Sequence, residues 1–138
     1  MARLFLLIAG LGFVLFTSAS SPDFDVDGDG SASAFTDGIL ILRDLFGFEG
    51  DSLVRNAVGA GATRTQPQEI GEFLNQNRAE FDLDSDRDTK ALTDGLLLIR
   101  YLFGFSGDSL ISGAIGPTAT RTSDEEISAY ISERLPGE

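Results

Sequence analysis

Asp25-Val26-Asp27-Gly28-Asp29-Gly30-Ser31, followed by Asp37 at the head of an apolar run, is the stretch that decides how this chain is read. Carboxylates stand at alternate positions 1, 3 and 5, and a glycine stands at position 6. A tight turn of this kind folds alternate side chains inward, where oxygens can surround a hard cation. Glycine at position 6 suits the sharp backbone turn there. Position 7, Ser31, would offer its carbonyl. Asp37 would close the ring of ligands from the start of the following helix, where a carboxylate also meets the positive end of the helix dipole.

The motif occurs twice. Asp82-Leu83-Asp84-Ser85-Asp86-Arg87-Asp88, with Asp94 beyond it, repeats the pattern 57 positions later. The register then holds without a gap. Thr36-Asp37-Gly38 matches Thr93-Asp94-Gly95, and Leu45-Phe46-Gly47-Phe48 matches Leu102-Phe103-Gly104-Phe105. Gly50-Asp51-Ser52-Leu53 matches Gly107-Asp108-Ser109-Leu110, and Ala62-Thr63-Arg64-Thr65 matches Ala119-Thr120-Arg121-Thr122. Agreement over this length is an internal duplication, with units from about residue 24 to 80 and 81 to 135. The candidate ligands are thus Asp25, Asp27, Asp29, Ser31 and Asp37 in the first unit, and Asp82, Asp84, Asp86, Asp88 and Asp94 in the second. In both, the closing acid falls at position 13 rather than 12. The shared offset makes it a property of this loop type, and it leaves open whether position 9 (Ser33, Lys90) contributes.

Composition supports a metal and narrows its kind. The formal net charge is −12, and nine of the 22 acidic residues crowd into Asp25–Asp37 and Asp82–Asp94. Such crowding is repulsive unless a cation lies within it. The acidic balance excludes a nucleic-acid binder. Histidine and cysteine are absent, which removes disulfides, zinc sites, thiolate nucleophiles and histidine-based catalysis. Oxygen ligands alone suit calcium, magnesium or manganese. Calcium is favoured, because magnesium holds its waters and demands octahedral geometry. Two sites are expected. The second should be weaker, since Arg87 replaces the position-6 glycine and Lys90 lies near. Replacing Arg87 with glycine should tighten it.

Each unit reads as helical. Ile39, Leu40, Leu42, Leu45 and Phe46, and Leu96, Leu97, Ile99, Leu102 and Phe103, have helical spacing within Thr36–Phe46 and Thr93–Phe103. These runs are apolar enough to be mostly buried, with Gly47 and Gly104 as helix stops. A short, weakly helical segment is expected around Ser52–Val58 and Ser109–Ile115. A last helix starts at a capping box, Thr65 with Gln68 and Thr122 with Glu125, with Pro67 in its first turn. Its apolar stripe is Ile70, Phe73 and Leu74, or Ile127, Tyr130 and Ile131. The fold class is therefore all-α: two tandem loop–helix units packed as one small domain, the final helix, Ser123–Arg134, packing back on the first unit. Phe48 and Phe105 are assigned to core packing rather than to a docking surface. Arg43, Arg64, Arg100 and Arg121, which recur in register, are assigned to pairing with acids.

The N-terminus reads as an export signal. Arg3 precedes an apolar run from Leu4 to Phe16, and Thr17-Ser18-Ala19-Ser20 supplies small residues for cleavage after Ala19, or after Ser20. The run is short for a membrane span, which takes about 20 residues. The chain then divides into a signal peptide (1–19), a first repeat (20–80) and a second (81–138). The expected location is extracytoplasmic, with no membrane span after cleavage.

These residues resemble the dockerin family of EF-hand-type repeats. The likeness lies in Asp25-Val26-Asp27-Gly28-Asp29-Gly30, in the pairing of two such loops, and in the Leu-rich helix with Arg43. It implies an exported calcium-binding module that docks a protein partner of the cohesin kind or a surface scaffold. The positions that would read such a partner hold Ala34-Phe35 and Ala91-Leu92. The alternative is a purely structural, calcium-stabilised secreted protein without a dedicated partner. No enzymatic activity is expected, since metal-assisted phosphoryl chemistry on Asp27 and Asp29 would need a larger α/β scaffold.

Overall fold

An apolar run flanked by glycines makes a helix when one side can be buried, and both copies of Ile-Leu-rich sequence do so. In the computed structural model, which describes residues 24–137, six α-helices form and no strand occurs among the described residues. They are α1 (Ile39–Leu45), α2 (Asp51–Val54) and α3 (Pro67–Gln76) in the first unit. The second unit has α4 (Leu96–Leu102), α5 (Asp108–Ile111) and α6 (Asp124–Ser132). The segment read as a signal peptide lies outside the described residues.

The start of α1 shows where the extra loop residue goes. Ala34–Gly38 and Ala91–Gly95 are single π-helical turns. Gly38 N–H reaches back five residues to the Ser33 carbonyl at 3.0 Å, and Gly95 N–H to the Lys90 carbonyl at 3.1 Å. A wider turn takes in one more residue per hydrogen bond, so the thirteenth position is absorbed in the helix rather than in the loop.

Gly47 ends α1 as expected. Its φ is +85°, a region glycine enters freely. Gly47 N–H donates to Asp44 O at 2.8 Å and Phe48 N–H to Arg43 O at 2.9 Å, the paired bonds of a Schellman stop. Gly104 repeats them. The segments expected to be weakly helical shrink to one turn each, α2 and α5. Arg43 and Arg100 do not pair with acids. Arg43 Nη1 donates to the carbonyls of Leu53 (2.9 Å) and Arg55 (2.8 Å), and Arg100 Nη1 to those of Leu110 and Ser112. They tie the end of each short helix to the longer one.

The caps of α3 and α6 sit one residue later than expected. Glu69 Oε2 accepts from Thr65 and Gln66 N–H, and Pro67 is the first helical residue. Glu126 Oε2 accepts from Thr122 and Ser123 N–H, while Ser123 Oγ accepts from Glu126 N–H. Both registers satisfy the capping pattern; the glutamate in each copy wins over Gln68 and Glu125 because it lies within reach of two orphan donors.

One core joins the repeats. Phe24, Val26, Leu40, Ile41, Ile70 and Leu74 pack in the same cluster as Phe81, Leu83, Leu97, Leu98, Ile127 and Ile131. The units meet across α1 and α4 reciprocally. A Cβ on Gly38 would lie 3.3 Å from Ile99 and Leu102, and one on Gly95 would lie 2.8 Å from Leu42. The missing side chains let each helix approach the start of the other. The buried face differs from the one expected. Leu40 with Ile41, and Leu97 with Leu98, are enclosed, whereas Phe46 and Phe103 are about half exposed. Phe48 and Phe105, assigned to the core from sequence, also lie open to solvent at 47% and 48%. Each follows the glycine turn that carries the chain away from the core.

Candidate metal centres

Both acidic loops curl around their first carboxylate. Asp25 Oδ1 accepts from Gly28 N–H (2.9 Å) and Asp29 N–H (3.1 Å), and its Oδ2 accepts from Gly30 N–H at 2.8 Å. Asp27 Oδ1 accepts from Asp29 N–H, and Asp29 Oδ1 from the N–H and hydroxyl of Ser31. The second loop repeats this: Asp82 accepts from Asp86 and Arg87 N–H, Asp84 from Asp86 N–H, and Asp86 from Asp88 N–H. Each carboxylate therefore bonds backbone a few residues ahead, which favours a turn over a helix. Gly28 and Gly30 take φ of +71° and +95°; Ser85 and Arg87, in the same places, take +59° and +72°.

The turn brings three acids together in each unit. Asp25, Asp27 and Asp29 each place an oxygen within 4.8 Å of the others, and so do Asp82, Asp84 and Asp86. Asp37 and Asp94 stand apart from these trios and anchor the loops. Asp37 Oδ1 accepts from Val26 (2.7 Å) and Asp27 (3.3 Å) N–H, and Oδ2 from Ser33 N–H (2.9 Å) and the Thr36 hydroxyl (2.8 Å). Asp94 likewise accepts from Leu83 and Lys90 N–H and the Thr93 hydroxyl. Position 9 is thus held by its own N–H, in Ser33 and in Lys90. The Asp88 carboxylate turns outward to Lys90 Nζ at 2.8 Å, and Ser31 is exposed.

The electrostatics follow from burial. Asp25, Asp27, Asp37, Asp84 and Asp94 are all at most 6% exposed. Among the described residues none of them is in an ion pair; Arg78, Lys90 and Arg134 pair elsewhere. Burial raises the pKa of Asp27 and Asp37, and of Asp94 in the second unit. Asp84 is pushed up to about 6, first by burial, then by the charges of Asp94 and Asp86, against the opposing bond from Gly116.

A second segment of each unit reaches over the loop, and sequence reading missed it. Gly59 N–H donates to Asp27 Oδ2 at 2.6 Å, and Gly116 N–H to Asp84 Oδ2 at 2.7 Å. Arg64 and Arg121, expected to pair with acids, instead donate to loop carbonyls: Arg64 to Asp25 and Val26, Arg121 to Asp82 and Leu83. The available signal was the recurrence of Gly59 and Gly116, and of the two arginines, at the 57-residue spacing outside the acidic loops.

All donors in the trios are oxygens, and Asp25, Asp27 and Asp84 are buried, which fits a hard divalent cation. Comparison with known proteins finds no matching family model, no matching curated protein and no matching solved structure. What the chain defines is thus a small helical protein with two acidic clusters able to hold metal.

Proposed function

We propose that this protein is an exported calcium-binding module, two EF-hand-type loops of dockerin-like character ordering a helical pair that docks a protein partner. The observation that carries the reading is the burial of Asp25, Asp27 and Asp84 inside acidic trios, with no ion pair to any of them among the described residues. Buried charges are stable when paired or bound to metal, and among the described residues no Lys or Arg side chain fills that role. Calcium suits the site better than magnesium because it accepts irregular sets of about six to eight oxygens. Asp25, Asp27 and Asp29, or Asp82, Asp84 and Asp86, would hold it, with the carbonyl at position 7. Asp37 and Asp94 would join only by releasing a backbone donor.

The docking half of the reading rests on exposed apolar side chains. Phe35 and Leu92 are each 67% exposed, two residues before the closing acids. Phe35 meets the edge of Phe103 at 5.2 Å between centroids. Exposed apolar side chains gathered in this way mark interaction surfaces. The alternative is a calcium-stabilised protein with no partner, favoured by how fully the acids are enclosed in the fold.

Calcium calorimetry on the chain from Ser20, beside Asp25→Ala and Asp82→Ala, tests the metal. Two binding events in the parent, with one lost in each variant, support it; no binding at millimolar calcium refutes it. Capture of a partner from the secreted fraction that chelator abolishes separates docking from the structural alternative.

A further inference from the structure

We propose that Ala57–Arg64 and Ala114–Arg121 are clamps that set the metal affinity of each loop from outside it, with Gly59 and Gly116 as the positioning residues. The inference rests on the reading of the trios as calcium sites.

Every contact from clamp to loop is a donor meeting a loop oxygen. Thr63 and Arg64 N–H donate to the Asp27 carbonyl at 3.0 and 2.8 Å, and Thr120 and Arg121 N–H to the Asp84 carbonyl at 3.1 and 2.9 Å. The Thr63 hydroxyl donates to Gly28 O and that of Thr120 to Ser85 O, both at 3.1 Å. Arg64 Nε and Nη2 hold the carbonyls of Val26 (2.7 Å) and Asp25 (2.8 Å). The clamp is itself fixed to the last helix of its unit: the Arg64 guanidinium lies 4.1 Å from the Phe73 ring centre, and that of Arg121 lies 3.8 Å from Tyr130.

Gly59 and Gly116 are glycines for reasons of space. Neither has positive φ, so their backbone would accept another residue. A Cβ on Gly59 would lie 2.4 Å from Asp29 Oδ2 and 3.0 Å from Asp27 Oδ2; on Gly116, 2.5 Å from Asp86 Oδ2 and 3.0 Å from Asp84 Oδ2. Only a residue without a side chain can bring its N–H against the position-3 carboxylate without pushing the position-5 carboxylate away. Donors of this kind orient ligands and hold a repulsive trio together before the ion arrives, which lowers the cost of binding.

The test uses Gly59→Ala in an Asp82→Ala background, so that only the first trio is titrated. The background alone is titrated first; if it takes no calcium, the calcium reading fails, and the clamp with it. Given binding, Gly59→Ala should weaken it by about tenfold or more. Terbium luminescence lifetimes in water and heavy water should show additional water on the bound ion, and the melting temperature in chelator should stay near the parent's. A merely structural glycine would lower the chelated melting temperature and leave the water count alone. If Gly59→Ala does not fold, Arg64→Lys carries the test, since it keeps the charge and loses the two-carbonyl grip. Parent-like affinity and hydration in the folded variant overturn the clamp.

Discussion

Phe24 N–H donates to the Arg134 carbonyl at 2.7 Å, joining the first described residue to the turn that ends the last helix. In the duplicated register Phe24 corresponds to Phe81 and Arg134 to Asn77. The second loop is entered from α3 along the chain. The first is entered from α6 across a hydrogen bond. The expected packing of the final helix against the first unit is therefore present. Glu80 fastens the junction: Arg134 Nε donates to its carboxylate at 2.9 Å and the Tyr130 hydroxyl to its carbonyl at 2.9 Å.

Ending the chain at Ser132 should cost about 2 kcal/mol, the worth of a backbone hydrogen bond plus a partly shielded ion pair. Urea unfolding in chelator measures it. An unchanged midpoint would show the junction to be energetically idle.

Calcium should raise stability by mass action. At ten times the dissociation constant each site adds about 1.4 kcal/mol, and the proposed reading sets the dissociation constants at about 10⁻⁴–10⁻³ M, the range of extracellular EF-hand modules. Thermal melts in EDTA and in 10 mM calcium should differ by several degrees. The difference should shrink, without vanishing, in Asp25→Ala or Asp82→Ala.

The second loop should bind more weakly than the first. Arg87 occupies a left-handed backbone position that its counterpart Gly30 fills without strain. Arg87→Gly should stabilise the chelated protein by about 1 kcal/mol and tighten calcium binding in an Asp25→Ala background. Calorimetry showing unchanged affinity would remove position 6 as the cause of the asymmetry.

Acid should act in opposite directions with and without metal. Asp84 titrates at about 6 in the folded chain against its ordinary 3.8, so the folded state holds the extra proton between these values. Its contribution to stability is full below about 3.8 and is lost as pH rises through about 6. Metal-free protein should therefore gain stability from this group on going from pH 7 toward 4.5. Calcium needs the carboxylate ionised, so affinity at the second site should fall over the same range. Paired melts and titrations at pH 7, 6 and 5 check both signs.

The duplication, the helical class and the acid trios were legible because they depend on residue type at short spacing. Asp25, Asp27 and Asp29 make their turn with bonds to backbone two to five residues away, and alternation announces it. The buried side of α1 was not legible. Ile39, Leu40, Ile41 and Leu42 are all apolar, so periodicity does not choose among them; packing into the core shared by the two units encloses Leu40 and Ile41. Gly59, Thr63 and Arg64 were invisible as site residues for another reason. They act largely through backbone N–H groups or on carbonyls more than thirty residues away, and the only mark such bonds leave in the sequence is the recurrence of these residues at the 57-residue spacing. Charge alone suggests a carboxylate partner for the four recurring arginines, whereas the structure gives carbonyls: those of the curled loop to Arg64 and Arg121, and those at the ends of α2 and α5 to Arg43 and Arg100.

The reciprocal seating of Gly38 on α4 and Gly95 on α1 means that one 57-residue copy already owns both surfaces of the seam. Two detached copies should find each other and assemble as a twofold homodimer, each lending its closing helix to the other's loop. The covalent link then serves mainly to raise the local concentration of one half around the other, and to let Asp44, Arg78 and Arg87 differ from their mates without spoiling the pairing.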